Sequence, residues 1–477
     1  MEGVYDDLVI VDTGSRDRTV EAARACGARV LSFPWRDDFS AARNHALDHA
    51  TGEWVLWLDA DDEVVPEDRG KIRPLLADPA CAGYFFYTLS LVHPGVPSVH
   101  VRNVHLRLFR RTAEHRFVGA IHEYVTTGAG RYGTAGVRIL HHGYLPGELA
   151  AKDKTGRNLR ILRRLVEDEP GNALWHYYLG CELCRAGDWT GAAASFGRAR
   201  EVLGESAGWA PDLWRRSAIC RMHLGQHREA LAELQEGIAR HPDYTDLHFL
   251  LGLLWHRLAR YGDALAALRR ALEMGEPPPW YTHDHGTGGF RALTALAQVH
   301  YDLGNYPEAA HACLEALRRQ PDYPGPLPVL VGALWAMHPP RKASALLAAF
   351  VRDLRLAPAP RVALCTRVAA ALHEVGAHAA CLEWLGAHPR RSRHDGAGPP
   401  EAVALRARAL AALGRSLVRP RTPPPAPGLP AALVRRAGRL RAAALAVLDR
   451  SGSPVLRALA RAAGRRRPGP LRVWSGG

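Results

Sequence analysis

The sequence predicts an α/β domain followed by an all-α region. Within the first 62 residues, short apolar runs that end in acidic turns alternate with helical segments. From about Lys152 the chain switches to alanine- and leucine-rich helical periodicity. That second region also aligns with itself, which is the mark of a repeat architecture.

Leu8-Val9-Ile10-Val11 is a buried strand ending at Asp12-Thr13-Gly14-Ser15-Arg16-Asp17. Asp17 or Ser15 can cap a helix through Thr19–Ala25, which Gly27 stops. Arg29–Phe33 is a second strand, and Ser40 is the expected cap of a helix through Ala41–Ala50 that ends at Gly52. Trp54–Leu58 is the third strand and ends at Asp59-Ala60-Asp61-Asp62. This β-α-β-α-β order predicts a parallel sheet. Ligands bind beyond the carboxyl ends of such strands, so both acidic turns are expected to face one crevice.

On an extended segment residues i and i+2 face the same way, so Asp59 and Asp61 can approach one cation while Asp62 points elsewhere. Two carboxylates suit a hard ion, Mg2+ or Mn2+, which keeps waters and completes its shell with substrate phosphates. Such an ion would neutralise a diphosphate. The bland alternative is an acidic surface turn that closes a strand.

Asp12-Thr13-Gly14-Ser15-x-Asp17-x-Thr19, Asp38-Phe39-Ser40-Ala41-Ala42-Arg43-Asn44 and Trp57-Leu58-Asp59-Ala60-Asp61-Asp62 together resemble family 2 glycosyltransferases of the GT-A fold. The resemblance continues through Arg107–Arg111, Phe117-x-Gly119-x-Ile121-His122-Glu123 and His142-Gly143-Tyr144, and covers about the first 150 residues. It implies a Rossmann-like mixed sheet, a nucleotide-sugar donor, a divalent metal (Mn2+ or Mg2+) and inverting transfer to an unknown acceptor. By the same resemblance Asp12 would contact the base or ribose, and Asp17 would support its turn. Asp59 and Asp61 would hold the donor through the metal, with Asp61 the more direct ligand. Arg43 and Asn44 would lie near the donor, a structural salt bridge being the alternative for Arg43. Arg107 could face the diphosphate and His142 could cap the metal. Inversion needs a general base near the acceptor; Glu123 is the first choice and His122 the second, against an ordinary strand end.

The family opens with an apolar strand and a Lys-Asn-Glu-type turn upstream of the Asp12 strand, whereas here Met1 to Asp7 precede it. A β-α unit of about thirty residues is therefore expected to be missing. Either the start lies upstream or the chain is a truncated relative.

In the second region Leu179-Gly180, Gly187, Trp189, Ala192, Phe196 and Ala199 align with Ala218, Gly225, His227, Ala230, Leu234 and Gly237. Further copies run through Leu251-Gly252, Tyr261, Ala264, Leu268 and Ala271, and through Ala297, Gly304, Tyr306, Ala309, Cys313 and Ala316. These positions resemble tetratricopeptide repeats, with Trp189, Tyr261 and Tyr306 expected in the core. The resemblance implies a helical solenoid whose face serves a protein or peptide partner or simply props the first domain. Between the third and fourth copies, the insertion at 277–286 reads as a solvated loop, with His283 and His285 as remote metal candidates.

The expected organisation is a transferase-like domain at 1–150, repeats at 151–340, an irregular helical region at 341–416 and a Pro/Arg-rich linker and basic tail at 417–477. The net charge of +14 concentrates in that tail, which allows at most peripheral contact with a membrane. No nucleic-acid module accompanies the charge, so a nucleic-acid function is excluded. Scattered cysteines suggest reduced thiols in the cytoplasm, and Cys181-x-x-Cys184 lacks the second pair of a zinc site. The leading expectation is an enzyme. Its rivals are a tetratricopeptide interaction scaffold with a degenerate transferase domain and, more distantly, a nucleotidyltransferase.

Overall fold

The computed structural model describes residues 3–92, 96–97, 99–143, 145, 154–203, 208–387 and 400–418. The basic tail and Tyr144 lie outside the described residues. The chain divides into two compact units at the Leu296/Ala297 junction.

The first unit opens with β1 (Val9–Asp12), α1 (Thr19–Ala25), β2 (Arg29–Ser32), α2 (Phe39–His49) and β3 (Trp54–Leu56), the predicted order. The α2 cap is Asp38 rather than Ser40: the Asp38 carboxylate accepts from Ala41 N at 3.0 Å and from Ser40 Oγ at 2.7 Å. A carboxylate two positions upstream reaches the free amide better than the short serine hydroxyl. Then come β4 (Asp62–Val64), a 3-10 turn (Pro66–Lys71), α3 (Ile72–Leu75), β5 (Cys81–Leu91), β6 (His100–Arg110), β7 (Phe117–Val118), β8 (Tyr124–Val125) and β9 (Arg131–His141).

β1 and β2 pair parallel as a separate two-stranded ladder. The larger sheet is mixed. β5 pairs antiparallel with β6 and parallel with β9, β9 pairs antiparallel with β4, and β3 lies antiparallel on β6. A mixed sheet is what the family resemblance implied, and the parallel order read from the first strands alone ends at β3. The long strands β5 and β6 come after it in sequence, and β6 returns antiparallel against it. Ile72, Phe86, Leu108, Val137 and Ile139 form one core of this domain, and Leu47, Phe109, Phe117 and Val125 form another beside α2.

Helices follow: α4 (Lys154–Asp168), α5 (Ala173–Arg185), α6 (Trp189–Glu201), α7 (Ala210–His223), α8 (His227–Arg240), α9 (Thr245–Arg257) and α10 (Tyr261–Met274). They pair as the repeats predict, with small residues at the closest approaches. A Cβ on Gly180 would lie 2.4 Å from a Phe196 ring carbon, so only glycine lets α5 and α6 approach so closely. Trp189, Tyr261 and Tyr306 are half-buried rather than core; Trp189 stacks on His223 with ring centroids 4.0 Å apart. The α/β domain and the first helices share a core. Ile121 packs with Ile161 and Leu162 of α4, beside Trp35, Phe39 and Trp175.

The insertion is not a solvated loop. It contributes β10 (His283–Asp284), which pairs antiparallel with Arg102 and Val101 of β6, and His283 is fully buried. An unpaired strand edge on β6 gains backbone partners this way, and the Asp284 carboxylate meets the buried Arg215 at 3.0 Å.

The chain continues with α11 (Phe290–Asp302), α12 (Tyr306–Arg319), α13 (Pro326–Met337), α14 (Pro340–Asp353), α15 (Pro358–Glu374), α16 (His378–Ala387) and α17 (Pro400–Val418). In the second unit Leu330, Ala343, Leu347, Val368, Leu372 and Cys381 belong to one continuous apolar core. Among the described residues, no helix is long and apolar enough to cross a membrane.

Candidate active site

The second acidic turn sits between β3 and β4. Asp62 N donates to Asp59 O at 3.0 Å and Asp59 N donates to the Asp62 carboxylate at 2.9 Å, so the segment is a closed turn and not an extended strand end. In such a turn side chains no longer alternate as on an extended strand, so Asp62 does not point away from Asp59 and Asp61. Asp62 instead turns inward. Its side chain is fully buried against Arg107 Nη1 at 2.9 Å and His141 Nδ1 at 2.9 Å.

The register of β9 on β4 places His141 directly opposite Asp62. Asp59, Asp61, Asp62 and His141 consequently bring one ligand atom each within 4.8 Å of one another, the one such group of His, Cys, Asp and Glu side chains among the described residues. His142 lies just beyond the strand, and its Nε2 is 3.7 Å from Glu63 Oε2. The imidazole brought to the acidic group is thus the neighbour of the one the resemblance implied.

Protein cations surround the turn. Arg43 bridges the Asp59 and Glu123 carboxylates, and Lys154 Nζ donates to Asp61 Oδ2 at 3.0 Å. The Arg43 and Arg107 guanidinium carbons lie 4.5 Å and 3.9 Å from the centre of the Trp57 ring. Burial alone would raise the carboxyl of Asp59, but Arg43 and Arg107 hold it below the usual carboxylate range. Burial likewise opposes ionisation of Asp61, and the Lys154 hydrogen bond and His141 outweigh it. Burial pulls the Arg107 guanidinium down from its ordinary value, against the charges of Asp62 and Asp59. Arg107 is 2% exposed, so its visible task is to brace the turn.

Consecutive residues on α2 fix the β7–β8 hairpin. Asn44 Nδ2 donates to Phe117 O at 2.8 Å and Phe117 N donates to Asn44 Oδ1 at 3.0 Å, while Arg43 takes the hairpin's Glu123. Asn44 thus spends its amide on the backbone of β7. His122 has φ of 52°, in the left-handed region that non-glycine residues rarely adopt. The ring stacks on Tyr178 of α5 at 4.0 Å and its Nε2 lies 3.6 Å from Glu182 Oε1. Burial would raise Glu182, but His122 and Arg185 hold its carboxyl at about 2.

The first acidic turn is local. Asp12 Oδ1 accepts from Ser15 N at 3.0 Å, the Ser15 hydroxyl and then this amide lower the Asp12 carboxyl, and Asp17 Oδ1 accepts from Thr19 N at 3.0 Å. Asp17 thus meets the first residue of α1, whose N-cap position is held by Arg18.

The space beside Asp61 is kept open by a missing side chain. A Cβ at Gly143 would fall 2.6 Å from Asp61 Oδ2 and 2.7 Å from His141 Nε2. Sequence reasoning missed His141, Asp62 and Lys154. His141-His142 is a legible pair, but nothing short of the β4–β9 register chooses between its members, and Lys154 opens the helical region, 93 residues from the carboxylate it meets.

Residues 5–130 match the family described as glycosyl transferase family 2, and residues 221–278 and 290–323 match tetratricopeptide-repeat families. A repeat-containing protein of Synechococcus elongatus is 34% identical over 193 residues, covering 38% of this chain and 47% of that protein. The prophage-derived glycosyltransferase SunS of Bacillus subtilis is 29% identical over 187 residues, covering 38% of this chain and 43% of its own length. The chain thus spans under half the length of these relatives. A solved tetratricopeptide repeat protein from Parabacteroides merdae aligns at 15% identity and a TM-score of 0.35, over 55% of this chain and 95% of its own.

Proposed function

We propose that this chain, a family 2 glycosyltransferase domain followed by tetratricopeptide repeats, moves a sugar from a nucleotide-sugar donor to an acceptor with inversion and with the help of a divalent metal. The observation that supports this reading is the Asp59, Asp61, Asp62 and His141 group at the end of β3, with the space beside it preserved by Gly143. The carboxylates suit Mn2+ or Mg2+, and an added imidazole favours the transition metal of the two, Mn2+.

Asp59, Asp61 and His141 would hold the metal, and Asp62 would anchor the turn through Arg107. His142, implied by the family resemblance, sits beside Glu63 and would serve at the rim. Once bound, the metal would neutralise charge on the departing diphosphate. Arg43, Asn44, Asp12, Asp17 and Arg107 would shape the donor pocket, Arg107 from beneath. Glu123, 9% exposed and held by Arg43, would take the acceptor proton. His122, stacked on Tyr178, is the weaker base. The acceptor would be a protein or peptide presented along the repeats, and the eight free cysteines agree with a reduced, cytoplasmic setting.

One observation favours the rival scaffold reading: protein cations already occupy Asp59 and Asp61. Donor binding separates the two. The full-length protein, offered UDP-, GDP- and dTDP-sugars with Mn2+ or Mg2+, is expected to release a nucleoside diphosphate from one of them. A protein that binds no donor in calorimetry and hydrolyses none overturns the enzyme reading.

A further inference from the structure

We infer that Lys154 is the exchangeable counter-ion of the acidic turn: its ammonium holds Asp61 in the absence of a divalent cation, and its displacement sets how tightly the turn takes that cation. This rests on the metal reading above and adds to it a residue outside the matched transferase segment, which ends at 130.

Each carboxylate of the Asp59-x-Asp61 pair carries one protein cation, and the two cations are not equivalent. Arg43 is tied to two carboxylates at once and lies against Trp57 and Phe117, 4.5 Å and 5.6 Å from their ring centres. Its charged form is favoured, since Asp59 and Glu123 outweigh the burial that opposes it. Moving it would break both ion pairs and the stacking, and would uncover Glu123. Among the described residues Lys154 makes one ion pair, at 3.0 Å, and a long contact of 3.5 Å to the Gly143 carbonyl. Its flexible four-carbon stem springs from the first residue of α4 and is one-fifth exposed, so the ammonium can swing into water at small cost.

Charge balance points the same way. Asp59, Asp61, Asp62 and Glu123 face Arg43, Arg107 and Lys154, four carboxylates against three cations. Two further positive charges would over-compensate this group unless one cation left. Arg107 is buried beneath the turn and Arg43 is doubly tied, which leaves Lys154. The carboxylate it would release, Asp61, is the one with Gly143 beside it and His141 Nδ1 at 3.6 Å.

The sign of the effect distinguishes this role from a structural one. Removing a strut loosens a site and weakens binding, whereas removing a competitor tightens it. Lys154→Met in the full-length protein should bind Mn2+ about fivefold more tightly than the parent, the factor expected for loss of a partly exposed ion pair. Lys154→Gln should follow it and Lys154→Arg should stay at or below the parent. Affinity would be read without nucleotide, by calorimetry and by the electron paramagnetic resonance of free Mn2+, on proteins with matching melting curves. Unchanged or weaker binding in folded Lys154→Met and Lys154→Gln, with a parent that binds Mn2+, overturns the inference and leaves the metal reading standing. No saturable Mn2+ or Mg2+ binding in the parent or either variant overturns both.

Discussion

His141 Nδ1 donates to Asp62 Oδ1 at 2.9 Å from the directly opposite position of the β4–β9 ladder. Successive side chains of a strand alternate between faces, so a slip of one residue would exchange the two histidines. His141→Ala is therefore expected to weaken Mn2+ binding by at least about tenfold, the lower range for residues that tune metal sites, and His142→Ala to change it little. Parallel calorimetric titrations of the two variants check this, and the reverse ranking would reassign the imidazole.

Gly143→Ala places a methyl group 2.6 Å from Asp61 Oδ2 and 2.7 Å from His141 Nε2. Both side chains must move apart to admit it. Metal-dependent turnover should fall sharply while the melting curve stays cooperative. Parental turnover in Gly143→Ala would mean that the space beside Asp61 is not used.

Asp61→Ala should lower turnover by orders of magnitude, because charge neutralisation at the leaving diphosphate is worth several kcal/mol. EDTA should have the same effect on the parent. Full activity in either experiment removes Asp61 from the metal site.

Glu123→Gln should keep donor affinity and lose transfer by roughly 10²–10⁴-fold, the usual contribution of a general base. His122→Ala should act differently, since its ring stacks on Tyr178 and lies 3.6 Å from the Glu182 carboxylate. It is expected to lower the melting temperature more than the transfer rate. Donor calorimetry, acceptor mass spectrometry and thermal melts together separate these roles, and a Glu123→Gln protein that transfers at the parent rate excludes Glu123.

Acid should loosen the seam between the insertion and β6. Burial, together with His285, Arg102 and His283, pulls His100 down from 6.5 to about 4, against the Pro97 carbonyl that its Nδ1 meets at 2.7 Å. The folded chain thus prefers neutral His100, while the unfolded chain takes up its proton near 6.5. This contribution is complete above pH 6.5, erodes as the pH falls and is exhausted below about 4. It amounts to at most roughly 3 kcal/mol. Melting temperatures measured across that interval should fall more steeply in the parent than in His100→Gln, and identical slopes would refute the assignment.

The local sequence determined the elements that depend only on nearby residues. The strands at Val9–Asp12, Arg29–Ser32 and Trp54–Leu56, the two helices between them and the paired repeat helices follow from periodicity, caps and small residues. The acidic turn with Asp59 and Asp61 was legible for the same reason, since a short apolar strand followed by carboxylates is a local pattern. Tertiary structure alone decided which other groups meet that turn. His141 arrives through a ladder register, Lys154 from a helix far along the chain, and Arg43 joins Asp59 to Glu123 across 16 and 80 residues. The insertion holding His283 became a strand because β6 offered an unpaired edge and Arg215 a buried charge to be met. Pairing energies of this kind come from residues far apart in sequence and close in space, so periodicity and composition carry no trace of them.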